Sequence, residues 1–205
     1  MSLNFDLLPH QPLMIVISGP SGAGKDSVLH EMKKRDLPIH FVVTANTRTP
    51  RLNEREGVDY FFVSRQRFEE MIANKELIEY SAVYNDYKGV PRVQVEQALQ
   101  SGKDVVMRLD VQGAEKIRNL YPQALLIFLV PANEEEWRER LKNRAGQPPA
   151  DLDLRIQKAQ EELLKLPVFD YIVVNSQNKL SQAVDVVEAI LKAEHHRTCP
   201  RSTIL

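Results

Sequence analysis

LMIVISGPSGAGKDS, residues Leu13 to Ser27, reads as a buried strand, a glycine-rich turn and the start of a helix. Its first part, Leu13 to Ile17, is a short, β-branched apolar run, the pattern of a strand covered on both faces. Gly19, Gly22 and Gly24 follow, with Pro20, Ser21 and Ala23 between them. Gly19 and Gly24 stand at the spacing that lets a backbone loop wrap an anion with its N–H groups pointing inward. Lys25 comes next and can reach the β- and γ-phosphates of a nucleoside triphosphate, at which the helix beginning there aims its positive dipole end. A tight strand-to-helix connection is the plainer reading, but strand, helix and lysine together favour phosphate.

The pattern G-x-x-x-x-G-K-[ST] is met except at its last place, where Asp26 stands and Ser27 follows. The hydroxyl normally found there ligates Mg²⁺. A carboxylate can also ligate that hard cation, although it brings a negative charge close to the phosphates.

At 205 residues the chain has room for one α/β core with inserted sub-regions and is too short for two full-sized domains. Its 27 Lys+Arg nearly cancel 28 Asp+Glu, so a general nucleic-acid or anionic-membrane binder is not indicated and anion recognition must be local. The single cysteine, Cys199, cannot form an internal disulfide, and a reducing cytoplasm fits. Ala124 to Val130, the longest apolar run, is far too short to cross a bilayer.

Along the chain, apolar strands alternate with amphipathic helices. Helix is expected from Ser27 to Arg35, and a second buried strand over His40 to Thr44. The polar segment that follows carries Arg48 and Arg51 about Thr49-Pro50, where the proline stiffens the link so that two guanidinium forks can converge on a phosphate. A solvated surface loop is the alternative. Val58 to Val63 reads as a strand in which Tyr60 either adds a hydroxyl to that phosphate or packs in the core. Ser64 is the expected N-cap of a helix to Ala73.

Two short strands are expected from Leu77 to Val83 and around Tyr84 to Gly89. Glu79 lies in the first of them between Ile78 and Tyr80, where a buried carboxylate needs a partner. It either faces solvent from an edge strand or accepts from a ligand such as guanine, whose N1–H and N2–H₂ are adjacent donors. Further helices are expected at Pro91 to Gln100, Val111 to Leu120, Glu134 to Asn143 and Leu180 to Glu194, and strands at Asp104 to Leu109, Ala124 to Val130 and Tyr171 to Val174. Arg140 and Arg144 share one helix face, and Arg155 opens the next helical stretch, as a mobile arginine-bearing hairpin or as a salt-bridged surface helix. The tail after His195 lacks periodic apolar residues and is expected to be loose.

This pattern implies a parallel sheet covered on both faces, with ligand at the carboxyl ends of the strands. From about Leu13 to about Glu194 the order of motifs resembles guanylate kinase, through ISGPSGAGK, TRTPR, GVDYFFV, ELIEY, LDVQG, RLKNR and YIVVN. The resemblance implies a P-loop fold with a parallel five-stranded sheet, an inserted mixed α/β acceptor region and a helical lid. It divides one domain, 1–205, into a core (13–43, 102–133 and 167–195), a monophosphate-binding region (44–100) and a lid (134–160).

The resemblance implies that Gly19, Pro20, Ser21, Gly22, Ala23, Gly24, Lys25, Asp26 and Ser27 bind ATP. It places Arg48, Arg51 and Tyr60 on the GMP phosphate, Glu79 on the guanine edge, and Thr44 where the family has a serine near the base. Asp110 matches the second acid of an aspartate pair, and Arg140, Arg144 and Arg155 match lid arginines that close over the transferring group. With Lys25 and Arg48 these arginines are the candidate catalytic residues, and Asp26 the candidate Mg²⁺ ligand.

Four positions depart from the family. Asp26 replaces the hydroxyl of the loop, Lys88 a tyrosine on the GMP phosphate, Val90 a hydroxyl that helps recognise guanine, and Arg108 the first acid of the pair. The expected activity is transfer of the γ-phosphoryl group of ATP to GMP in the cytoplasm, by a monomer or homodimer without nucleic-acid or membrane partners. A kinase of the same fold acting on another acceptor, such as ribose 1,5-bisphosphate, is the alternative; a non-catalytic protein-binding module ranks below it. A GTP switch would need an N-K-x-D segment, which the chain lacks.

Overall fold

In the computed structural model, the described residues are 11–50, 52, 54–83, 86–142 and 152–202. The strand β1 (Met14–Ser18) is buried at every position and lies between β7 (Asp104–Arg108) and β8 (Leu125–Val130). Outside these stand β2 (Ile39–Phe41) and β9 (Tyr171–Val174), and all five strands run parallel in the order β2-β7-β1-β8-β9.

Because side chains alternate along a strand, β1 feeds two cores at once. Ile15 and Ile17 join Val28 and Met32 of α1 (Lys25–Lys33) and Val184 and Val187 of α7 (Leu180–His195) on one face. On the other, Met14 and Val16 meet Val95 and Ala98 of α3 (Arg92–Gln100) and Ala114 and Ile117 of α4 (Val111–Leu120). Fully burying each of the Val, Ile and Met side chains contributes roughly 1.5–3 kcal/mol. The helices alternate with strands, so the loops at the strands' carboxyl ends are left free to build a site.

A second sheet, β4-β3-β6-β5, is made of β3 (Thr44–Asn46), β4 (Tyr60–Phe62), β5 (Leu77–Val83) and β6 (Asp86–Pro91). β3 and β4 are parallel and the other two pairings antiparallel. Phe68 and Met71 of α2 (Arg65–Ala73) cover it, packing on Ala45 and Leu77. Ser64 caps α2 as expected, its hydroxyl accepting from the Arg67 N–H at 3.1 Å.

The single buried strand expected over His40 to Thr44 is instead two strands in two sheets. The side-chain amide of Gln94 accepts from Val43 N–H at 3.0 Å and donates to Val43 O at 2.8 Å, so a side chain takes both backbone groups that a ladder would use. The chain leaves the first sheet there, and β2 before the break is only half-buried.

Asn133 Oδ1 accepts from Glu136 N–H at 2.9 Å and so caps α5 (Glu134–Lys142), as the sequence suggests. Trp137 and Leu141 of α5 pack with Ala159 and Ile156 of α6 (Leu152–Leu163). The tail is not loose through residue 202: Arg201 is buried, donating from Nε to Glu194 at 2.7 Å and from Nη1 to Ala124 O at 3.3 Å. That anchor is ionic, which apolar periodicity does not register. Among the described residues no helix is long and apolar enough to cross a membrane.

Candidate active site

The ends of β1, β7 and β9 and the face of the second sheet line one cleft of about 680 Å³. Gly19, Gly22, Gly24 and Lys25 stand on one side of it, Thr44, Arg48, Tyr60, Glu79 and Lys88 on the other, and Arg140 and Arg155 also line it. Arg51 and Arg144 lie outside the described residues.

The loop after β1 has the shape its glycines suggest. Gly19 has φ 138 and Gly24, the N-cap of α1, φ 88. A Cβ at Gly19 would run into the carbonyl of Leu129 on β8, and one at Gly24 into the amide of Asn175 after β9. Asn175 Nδ2 donates to Ala23 O at 2.9 Å, and Trp137 Nε1 to Ser21 O at 2.7 Å, so β9 and α5 both brace the loop. Lys25 Nζ donates to Gly19 O at 2.5 Å and Pro20 O at 3.2 Å. Burial pulls its pKa below the usual lysine value, against Glu162 and Asp26. With its ammonium already turned back over the loop, it faces the place where anion oxygens would sit.

On the opposite side Arg48 holds Glu54 with both arms, at 2.7 and 2.5 Å, and lies over the rings of Tyr60 and Phe62. Its backbone N–H donates to Asn46 Oδ1 at 3.1 Å, which fixes where the side chain departs. Burial raises the Tyr60 phenol pKa, keeping it a neutral donor. Lys88 is pushed down to about 8 by burial, with Lys25, Arg108 and Arg48 adding repulsion and Asp110 opposing them. Such a concentration of positive charge is poised for a polyanion.

Asp26 and Arg108 form an ion pair. Arg108 Nη2 also donates to Asp59 O at 3.2 Å, and its guanidinium lies 4.4 Å over the Tyr60 ring. Two of the four departures from the family pattern therefore face each other.

Glu79 is 3% exposed, so it does not face solvent from its edge strand. Its carboxyl is raised to about 7 by burial and by Asp110, against Lys116, whose Nζ is 3.6 Å from Oε1. That Oε1 has no hydrogen-bond partner. Thr44 is buried and lines the same cleft, paired in register with Tyr60. Asp110 caps α4 through Gly113 N–H at 2.8 Å and accepts from Ser81 Oγ at 3.0 Å.

Sequence reasoning missed Ser81, although it stands two residues after Glu79 and so on the same face of β5. It lines the cleft, whereas Val90 is fully buried away from it. Trp137, Lys158 and Glu162 were also missed; the last two line the cleft from α6, four residues apart. Arg140 pairs with Glu136 and donates to Asn175 O at 2.7 Å, and Arg155 Nη1 reaches Ser21 Oγ at 3.4 Å. Both arginines are thus already at the loop.

A family model described as guanylate kinase matches residues 11–194. A curated guanylate kinase 2, chloroplastic/mitochondrial, of Oryza sativa subsp. japonica is 44% identical over 195 residues, spanning 93% of this chain and 68% of its own length. The guanylate kinase of Bacillus subtilis is 39% identical over 193 residues, 92% of this chain and 94% of that protein. Among solved structures, guanylate kinase from Anaplasma phagocytophilum superimposes with a TM-score of 0.75 at 29% identity, covering 96% of this chain and 93% of that one.

Proposed function

This chain belongs to the guanylate kinase family and phosphorylates GMP to GDP with ATP as donor, and we propose that the cleft divides that work between its two sides. The loop N–H groups of Gly19, Ser21, Gly22 and Gly24, with Lys25 and Ser27, hold the ATP phosphates. Arg48, Arg51, Tyr60 and Lys88 hold the phosphate of GMP, with Thr44, Glu79, Ser81 and Asp110 around the base. The observation that carries the guanine assignment is the buried Glu79 Oε1 without a hydrogen-bond donor, an acceptor that the paired N–H groups of guanine would satisfy.

No covalent enzyme intermediate is needed. In such transfers the protein contributes positioning and charge stabilisation, so Arg140, Arg144 and Arg155 complete the site by neutralising the group in flight. Closing over it, they exclude the water that would hydrolyse ATP.

Mg²⁺ fits the residues present. Asp26 offers a hard oxygen ligand in the first turn of α1, with half or more of its side chain exposed to the cleft, and Asp110 and Asp86 line the same space. Among the described residues there is no cluster of three or more candidate ligands, which suits an ion held by one or two carboxylates and the phosphates. When bound, Mg²⁺ would neutralise charge on the donor phosphates. The cytoplasm is the proposed location, and the working form a monomer or homodimer.

Replacing Arg48 by alanine tests the acceptor side. The expected result is a loss on the order of 2–4 kcal/mol in kcat/KM for GMP in a coupled ADP-release assay. Unchanged kinetics with GMP would reject the assignment.

A further inference from the structure

Arg108 ends β7, the strand next to β1, and its guanidinium is bonded to both sides of the cleft. On the donor side it pairs with Asp26, the residue after Lys25. On the acceptor side it donates to Asp59 O at 3.2 Å and covers Tyr60 at 4.4 Å, while Arg48 lies 5.0 Å from the same ring. Two guanidiniums therefore converge on one aromatic ring, and one of them also touches the first turn of the phosphate-loop helix. A phosphoryl group passing between the two pockets must cross the space this side chain spans.

The pair is also unequal. The Arg108 side chain is 16% exposed and that of Asp26 63%. A largely buried arginine whose main counter-charge is an exposed carboxylate is one that a more highly charged fork of oxygens can win over. Lys25, Lys88 and Arg48 surround it with like charge, so its own position is stabilised by any anion that enters.

We propose that Arg108 is a catalytic residue of the transfer, contacting the phosphoryl group between donor and acceptor, and that Asp26 holds its guanidinium until phosphate oxygens displace the carboxylate. An oxygen of the GMP phosphate bonds to the γ-phosphorus of ATP as the bond from that phosphorus to the bridging oxygen breaks, and ADP leaves with the electron pair. No proton has to move. Charge spreads over the three oxygens of the group in flight, and Arg108 meets it with a planar fork in a partly dehydrated site. This rests on the reading of the cleft as a GMP kinase site.

The test uses the full chain and three variants. Arg108→Lys keeps a charge for Asp26 but loses the fork; the expected kcat is lower by about tenfold or more, with calorimetric binding of GMP and ATP changed less than about fivefold and Tm unchanged. Arg108→Gln should cost about 100-fold in kcat. In metal-free buffer, Asp26→Asn releases Arg108 toward phosphate, so ATP should bind at least about fivefold more tightly than to the parent chain, and the gain should vanish in Asp26→Asn/Arg108→Gln. A kcat undiminished in Arg108→Lys would overturn the proposal even if Arg108→Gln failed to fold, as would a metal-free gain that survives in the double variant. GMP turnover by the unsubstituted chain is the control: its absence would reject the kinase reading itself, its presence with unaffected Arg108 variants only this proposal.

Discussion

The carboxyl carbon of Glu79 lies 3.1 Å from the place that a Cβ on Gly113 would take. Strand β5 and helix α4 can approach this closely because residue 113 has no side chain, and the carboxyl occupies the room left over. Gly113 N–H meanwhile serves the Asp110 cap at 2.8 Å.

Gly113→Ala therefore sets two effects against each other. Alanine is a better helix former than glycine, by up to about 1 kcal/mol and less in this first turn of α4, so thermal stability should hold or rise. The methyl group pushes the Glu79 carboxyl by a few tenths of an ångström away from the base, and KM for GMP should rise about tenfold, worth about 1.4 kcal/mol, with KM for ATP unchanged. Initial-rate kinetics with each substrate varied in turn would show the split.

The titration of Glu79 gives a pH dependence with a definite sign. Its folded pKa, about 7, is above the unfolded value of 4.5. The folded state thus binds the extra proton between those values, and stability falls as pH rises from 4.5 to about 7, by up to about 3 kcal/mol. Glu79→Gln should melt above the parent chain at pH 8 and lose the advantage by pH 4.5. On the proposed guanine assignment binding runs the other way, because only the ionised carboxylate could accept from both guanine donors: KM for GMP should rise as pH drops below 7. A Glu79→Gln melting curve that tracks the parent at every pH would count against this account.

Trp137 is the single tryptophan, and its indole N–H holds the phosphate loop at Ser21 O. ATP should therefore change its fluorescence, while GMP alone should not. Trp137→Phe keeps the packing against Leu141 and Ala159 but removes that hydrogen bond, at about 1 kcal/mol, read as a roughly fivefold rise in KM for ATP.

Arg201→Ala removes the main cation facing Glu194, whose side chain is 2% exposed. Burial alone would raise that carboxyl; Arg201, Tyr171 and Arg197 override it and hold it at about 2. The stability so gained is present above the unfolded value of 4.5 and is lost as pH falls toward 2. At pH 7 the variant should lose about 3 kcal/mol, a drop in Tm of roughly 6–12 °C. Activity of the still-folded fraction should be normal, since this strap lies away from the cleft.

Much of the fold was legible because its signals are local. The β-branched run of β1, the glycine turn, Ser64 before α2 and Asn133 before α5 each act within a few residues. Where a distant residue intervenes, local reading fails: Gln94, 51 positions from Val43, divides the expected second strand, and Arg201 docks a tail that has no apolar repeat. For the site, the chain suggested which residue types would bind phosphate and base, and it flagged Asp26 and Arg108 as separate departures.

The sequence by itself determined most of the alternation of strands and helices and the glycine turn after β1, because periodicity, turn residues and capping act over one or two turns of chain. Only the tertiary structure decided that Asp26 meets Arg108 across 82 positions, that Gly113 makes room for Glu79, and that Ser81 rather than Val90 lines the cleft. Those facts depend on strand register and on how closely elements pack, which are set by the whole core at once.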